Sequence, residues 1–142
     1  MSEVSQEPLN SLPHGPEFRF IDRLTELDPG KRGAAEYLVR GDEAFLKGHF
    51  PGAPIFPGVL LVESIAQLAG TVAQTDPAIP ALNSLKLTAM RSVKITGTAG
   101  PGTCLEIRTE ITGRMGTLVQ ASGSVSADGN QLAVADVVLA GE

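Results

Sequence analysis

The sequence predicts an α+β domain in which an antiparallel sheet wraps around one long central helix. Three observations carry this expectation. The run from Val59 to Gln74 has no internal proline and is apolar over most of its circumference, and a helix without a polar face has to be buried. Much of the chain after it alternates apolar and polar residues with a period of two, as half-solvated strands do. Tight turn signals separate those runs, so consecutive strands fold back on one another.

Taken in order, Met1 to Asn10 are polar and expected to fray. Phe18, Phe20, Ile21 and Leu24 form an apolar cluster that reads equally as a strand or one helical turn. Asp28-Pro29-Gly30-Lys31 is a turn. Ala34 to Val39 read as a strand with Ala35, Tyr37 and Val39 on one face and Glu36 on the other. The helix begins near Pro57, where a proline at the first helical position loses no hydrogen bond. Its polar exceptions, Glu63, Gln67, Thr71 and Gln74, fall on a single stripe. Asp76-Pro77 and Pro80 end it. Leu85 to Ile95 supply a weaker strand. Cys104 to Ile111 supply a clear one, with Leu105, Ile107 and Ile111 inside. Gly113 to Gly116 make a turn, Val119 to Ala127 alternate again, Asp128-Gly129-Asn130 mark a hairpin, and Gln131 to Ala140 form the last strand. No repeat or linker divides residues 1–142, so one domain is expected.

Composition narrows the function. A chain of 142 residues suits a single core, and a net charge of -5 argues against a nucleic-acid surface. The one cysteine, Cys104, excludes an intramolecular disulfide and reads as a small buried hydrophobe. The first residues lack the pattern of a secretory signal, no apolar run is long enough for membrane insertion, and the cytoplasm is the expected compartment. No His, Cys or Asp cluster has metal-ligand spacing, and no phosphate-binding loop or serine nucleophile elbow is present.

The chemistry concentrates between Gly48 and Gln67, GHFPGAPIFPGVLLVESIAQ. His49 sits on a loop in which Pro51, Pro54 and Pro57 recur every three residues, each fixing its own backbone torsion. A stiff loop is a good mount for a general base, and histidine titrates near neutrality. Glu63 interrupts the apolar helix. An acid in apolar surroundings has its pKa raised and can act as a proton donor, although the helix N-terminus pushes the other way. The unpaired backbone N–H groups of Gly58 and Val59, on the first turn, suit a thioester oxygen that gains charge. Phe50 and Gln67 are expected to contact the substrate. Gln67, Thr71 and Gln74 either line the site or face a partner subunit. His14, in Leu12-Pro13-His14, has no acid in its local pattern and reads as structural.

At these residues the sequence strongly resembles the (3R)-hydroxyacyl-[acyl-carrier-protein] dehydratases of type II fatty-acid synthesis. Gly48 to Gln67 match the family signature G-H-F-P-G-x-P-x-x-P-G-V-L-x-x-E-x-x-A-Q at every fixed position. Weaker similarity extends to Leu12-Pro13-His14, Ile21-Asp22-Arg23, Val93-Lys94 and Pro101-Gly102, so it covers most of the chain and is dense at the centre. The resemblance implies a hot-dog fold and a homodimer with sites built from both subunits, which in relatives often assembles further as a trimer of dimers. It implies His49 as the base that takes the C2 proton, Glu63 as the acid that releases water, and Gly58 as the donor to the thioester oxygen. No cofactor or metal is implied. The implied partner is an acyl carrier protein bearing the hydroxyacyl thioester.

The chain departs from the family at Gly15, where an arginine is usual, and at Ile95, Thr96 and Gly97, where basic residues are usual. Lys47, Lys86, Arg91 and Lys94 are the cations left to receive an acidic carrier. Glu63, where the isomerising subgroup has aspartate, favours simple dehydration. The competing readings are a hot-dog acyl thioesterase, which would not need His49, and a non-catalytic acyl-carrier-binding subunit.

Overall fold

The computed structural model describes residues 4–48, 52 and 54–142. Strands β1 (Arg23–Asp28) and β2 (Arg32–Leu38) precede helix α1 (Gly58–Ala73). Four strands follow it: β3 (Lys86–Ile95), β4 (Cys104–Met115), β5 (Leu118–Ala127) and β6 (Asn130–Ala140). They form one sheet in the order β1-β2-β4-β5-β6-β3, and each neighbouring pair runs antiparallel. The helix stands between β2 and β3 in sequence and carries the chain from one end of the sheet to the other. This is the hot-dog fold.

The core lies between the sheet and α1. On β4, Leu105, Ile107 and Thr109 are buried while Glu106, Arg108 and Glu110 face solvent, the period-two pattern the sequence carries. On β5 and β6 the buried face intersperses small residues, Ala121, Ala133 and Ala135, among Val119, Val125, Val137 and Leu139, which lets the helix approach closely at the alanines. Gly123 marks the tightest point. A Cβ there would lie 2.5 Å from Ile65 Cγ2 and 2.6 Å from the Arg108 carbonyl oxygen. Twelve of the 16 residues of α1 are buried. The buried hydroxyls of the helix stay satisfied by bonding back to it: Ser64 Oγ donates to the Leu61 carbonyl at 2.6 Å and Thr71 Oγ1 to that of Gln67 at 2.9 Å.

The β5–β6 hairpin turns on Asp128 (φ 51°) and Gly129 (φ 79°), the paired left-handed conformation whose twist matches a two-residue hairpin. The Pro29–Lys31 turn closes with the Lys31 N–H donating to the Asp28 carbonyl at 3.0 Å.

Several boundaries differ from the sequence reading. Pro57 is the residue capping α1 rather than its first helical residue. The apolar cluster of residues 18–24 is neither a strand nor a helical turn throughout: a 3-10 turn ends at Phe18, and β1 starts at Arg23. β4 runs through Gly113 to Met115, because Gly113 sits in a bulge opposite Gln120 and only residues 116–117 turn. Cys104 is exposed, not buried: the alternation that buries Leu105 puts its neighbour on the solvent face. Within the stretch expected to fray, Glu7–Ser11 form a 3-10 turn, and the Gln6 side chain bonds the backbone of Leu24 as both donor (3.0 Å) and acceptor (2.7 Å).

Candidate active site

Glu63 lies on the second turn of α1 with 18% of its side chain exposed. Burial raises its carboxyl above the ordinary carboxylate range, and a hydrogen bond with Gln67 pulls in the opposite direction. This is the direction a proton donor needs.

The stripe below it does something the sequence did not reveal. Gln67 is 2% exposed, and its amide bridges the backbone of the N-terminal segment. Oε1 accepts from the Phe20 N–H at 2.9 Å and Nε2 donates to the Phe18 carbonyl at 2.8 Å. Gln74 does the same one stretch further on. Its Oε1 accepts from the Leu82 N–H at 2.9 Å and its Nε2 donates to the Leu82 carbonyl. Gln67 and Gln74 therefore fasten this chain's own segments to the helix, while Thr71 bonds back to the helix itself.

That fastening brings His14 to Glu63. His14 Nε2 stands 3.8 Å from Glu63 Oε2, and 24% of the His14 side chain is exposed. The reading of His14 as a residue without an acid partner is corrected here. The two residues lie on separate segments, and no local pattern could have paired them. The imidazole stacks on Phe18 at 5.9 Å between ring centroids, and Arg19 Nε donates to the His14 carbonyl at 2.9 Å. Burial, and next the charge of Arg19, lower the His14 pKa and favour the neutral ring.

At the start of α1, no acceptor among the described residues is paired with the backbone N–H of Gly58 or Val59; the first helical bonds are those of Leu60 and Leu61 to the Pro57 carbonyl, 2.9 and 3.3 Å. Gly58 abuts Ile95 of β3, whose Cδ1 would lie 3.0 Å from an added Cβ. The Val59 side chain is 71% exposed.

The expected base, His49, and its neighbour Phe50 lie outside the described residues. The chain is anchored on both sides of them. Leu46 is 2% and Phe56 1% exposed, and the Phe56 N–H donates to the Ala99 carbonyl at 2.7 Å. Phe56 packs edge-on against Phe20 and Phe45, 5.8 and 5.5 Å away.

A depression of about 560 Å³ opens on the outer face of the sheet beside Glu26, Arg32, Arg108 and Asp136, and neither Glu63 nor Gly58 lines it. Near the stripe there is a cavity of about 20 Å³, lined by His14, Gln67, Gln74 and Leu85 among others. No group of three His, Cys, Asp or Glu residues among the described ones could hold a metal ion.

A single helix clasped by a six-stranded antiparallel sheet, with an acid near the helix start, defines a hot-dog protein of the FabA-like class. Residues 12–136 match the family model for the FabA-like domain, and the chain belongs to that family. Its curated relatives include the 3-hydroxyacyl-[acyl-carrier-protein] dehydratase FabZ of Syntrophotalea carbinolica, 35% identical over 131 residues, covering 89% of this chain and 86% of the relative. The enzyme of the same name from Bacillus velezensis is 34% identical over 139 residues, covering 96% of each. Among solved structures, the dehydratase heterocomplex ApeI:P from Xenorhabdus doucetiae superposes with a TM-score of 0.79 at 16% identity, covering 95% of this chain and 91% of that one. That likeness concerns the fold.

Proposed function

We propose that the chain is a lyase that removes water from (3R)-hydroxyacyl thioesters on acyl carrier protein, giving trans-2-enoyl thioesters in fatty-acid biosynthesis. The observation that carries this reading is Glu63: the one ionisable side chain of a largely buried helix, with its pKa raised by burial. Relatives spanning nearly the whole chain are dehydratases by name.

In this reading His49 takes the C2 proton. The electrons move to the thioester oxygen, which receives the N–H of Gly58 and the positive end of α1. The C3–O bond then breaks, and Glu63 supplies the proton with which hydroxide leaves as water. Phe50 and Val59 flank the acyl chain.

The reading places the site between two subunits. The cavity beside the stripe holds about one water molecule, far less than an acyl chain. Val59 is largely bare, and next to it the edge strand β3 exposes Met90 (54%), Val93 (39%) and Ile95 (46%). A second copy laid along β3 would cover these residues, satisfy the strand edge and close an acyl channel, giving a homodimer and, further, a trimer of dimers. Lys86, Arg91 and Lys94, exposed on the same strand, offer charge to the acidic carrier. Among the described residues no helix is long and apolar enough to cross a membrane, and we place the reaction in the cytoplasm.

The test is direct. The purified protein should hydrate crotonyl thioester and dehydrate 3-hydroxyacyl carrier protein, and His49→Ala and Glu63→Gln should each lower kcat by about 10²–10⁴ while the dimer persists. Release of free thiol without enoyl product would assign a thioesterase instead. Acyl-carrier binding without turnover would assign a binding subunit.

A further inference from the structure

Resting on the dehydratase reading, we propose that His14 is a positioning residue for the acid: its neutral imidazole accepts a hydrogen bond at Nε2 from the protonated Glu63 carboxyl, which keeps the proton on the acid and the carboxyl in one orientation.

The geometry has three parts. First, Nε2 faces Glu63 Oε2 at 3.8 Å, beyond hydrogen-bond distance, and catalytic hydrogen bonds that are long without substrate tighten as substrate is bound. Second, the ring is held from several directions. Phe18 stacks on it, Arg19 fixes its backbone carbonyl, and Gln67 bolts Phe18 and Phe20 to the same helix that bears Glu63. Third, Nδ1 is buried and has no hydrogen-bond partner among the described residues. A ring with one proton can keep it on Nδ1 and present a lone pair at Nε2. His14 also lines the cavity of about 20 Å³ that includes Gln67 and Gln74, room for one water beside the ring.

The charges around the pair favour one shared proton over an ion pair. Among the described residues, the groups acting on Glu63 are His14 and Gln67, and the charge acting on His14 is Arg19. A guanidinium beside the imidazole opposes a second positive charge, and a half-buried carboxyl opposes a lone negative one. Both preferences are met when the proton stays on the carboxyl and the imidazole accepts it. An acid arranged in this way is charged with its proton before the C3–O bond breaks.

The experiment measures kcat/KM against pH for dehydration of a 3-hydroxyacyl thioester, the direction in which Glu63 gives up its proton, by wild type, His14→Phe and His14→Gln. Phenylalanine keeps the apolar cover and removes the acceptor, so the alkaline limb, which reports loss of the acid's proton, should move to lower pH, and kcat should fall about tenfold with KM within about twofold. Glutamine returns an acceptor at the ε position and should restore part of both. An alkaline limb that stays put, or that moves to higher pH as breaking a charged pair would require, overturns the proposal. Nitrogen-15 spectra of the wild-type imidazoles at pH 7 give a second measurement that needs neither a folded variant nor turnover. They should show His14 as the neutral Nδ1–H tautomer, and an imidazolium or an Nε2–H tautomer overturns it. If the wild type forms no enoyl product, the dehydratase reading fails, while the pairing of His14 and Glu63 is still judged by the spectra.

Discussion

Replacing Gln67 by methionine isolates the fastening of the N-terminal segment from the volume of the core. Methionine keeps an unbranched chain of similar length and fills the same space, so little of the effect is a cavity. What is lost is a pair of hydrogen bonds, and their two ends differ. The Phe20 N–H, bonded at 2.9 Å in a buried site, has no other acceptor, and leaving such a donor unpaired costs about 1–3 kcal/mol. The Phe18 carbonyl, bonded at 2.8 Å, belongs to a residue 43% exposed and can turn to water, so its loss costs about 0.5–1.5 kcal/mol. The sum is about 2–4 kcal/mol, a large share of the roughly 5–15 kcal/mol that holds a domain of this kind together. With a urea slope of about 2 kcal/mol/M, the unfolding midpoint should fall by about 1–2 M at equal protein concentration with the slope unchanged. Activity should fall further than stability alone explains, since His14 and Phe18 ride on the released segment. A midpoint within about 0.3 M of wild type would refute the reasoning, because it would mean that residues 18–20 are held by something other than the helix amide.

Two further outcomes follow from the same structure. Gly123→Ala should destabilise by about 1–3 kcal/mol in thermal or urea melts, because the added Cβ meets the Arg108 carbonyl at 2.6 Å and a backbone atom cannot swing aside; a neutral result would mean that the β4 backbone does not close on Gly123 as described. Glu63→Gln should stabilise the protein increasingly as pH rises. A carboxyl whose folded-state pKa is raised contributes stability that is fully present below its unfolded pKa, about 4.3, and is lost as pH climbs through the higher folded value. The gap between wild type and variant in a pH series of melts should therefore open above about pH 4, and a gap that closes with pH would reverse the sign assigned to the burial of Glu63.

What could be read in the sequence was whatever repeats locally. The helix shows in its unbroken apolar surface, and β4, β5 and β6 show in their alternation, because each residue's side of the sheet is fixed by its neighbours. Even Cys104 follows that rule: the phase set by Leu105 and Ile107 puts it with Glu106 and Arg108 outside, and only residue-type averages suggest burial. β3 was faint because nearly every residue from Lys86 to Ile95 is exposed, and an edge strand exposed on both faces has no two-state pattern to show. Gly113 read as a turn because a glycine in a bulge and a glycine in a turn look alike in one dimension. Glu63 stood out because an acid breaks an apolar run. His14 did not, because its significance depends on a segment folding back across the helix.

The polar stripe on α1 explains how a fold so dependent on apolar packing keeps one ionisable group available. Three of its four members are neutral and are used up within the chain: two amides hold backbone that has no strand partner, and one hydroxyl bonds to its own helix. Such bonds must not change with pH or with turnover, and amides and hydroxyls do not titrate near neutrality. Glu63 is the member nearest the helix start, and among the described residues no backbone N–H is bonded to its carboxyl. A carboxylate that accepts two or three backbone N–H groups is held in its charged form far below the usual range, and it could not then retain a proton to give away. With no backbone N–H bonded to Glu63 among the described residues, and such donors bonded instead to Gln67 and Gln74 four and eleven residues on, burial is the largest influence on the acid. The division along the stripe separates the groups that hold backbone from the one that, on the dehydratase reading, gains and loses a proton.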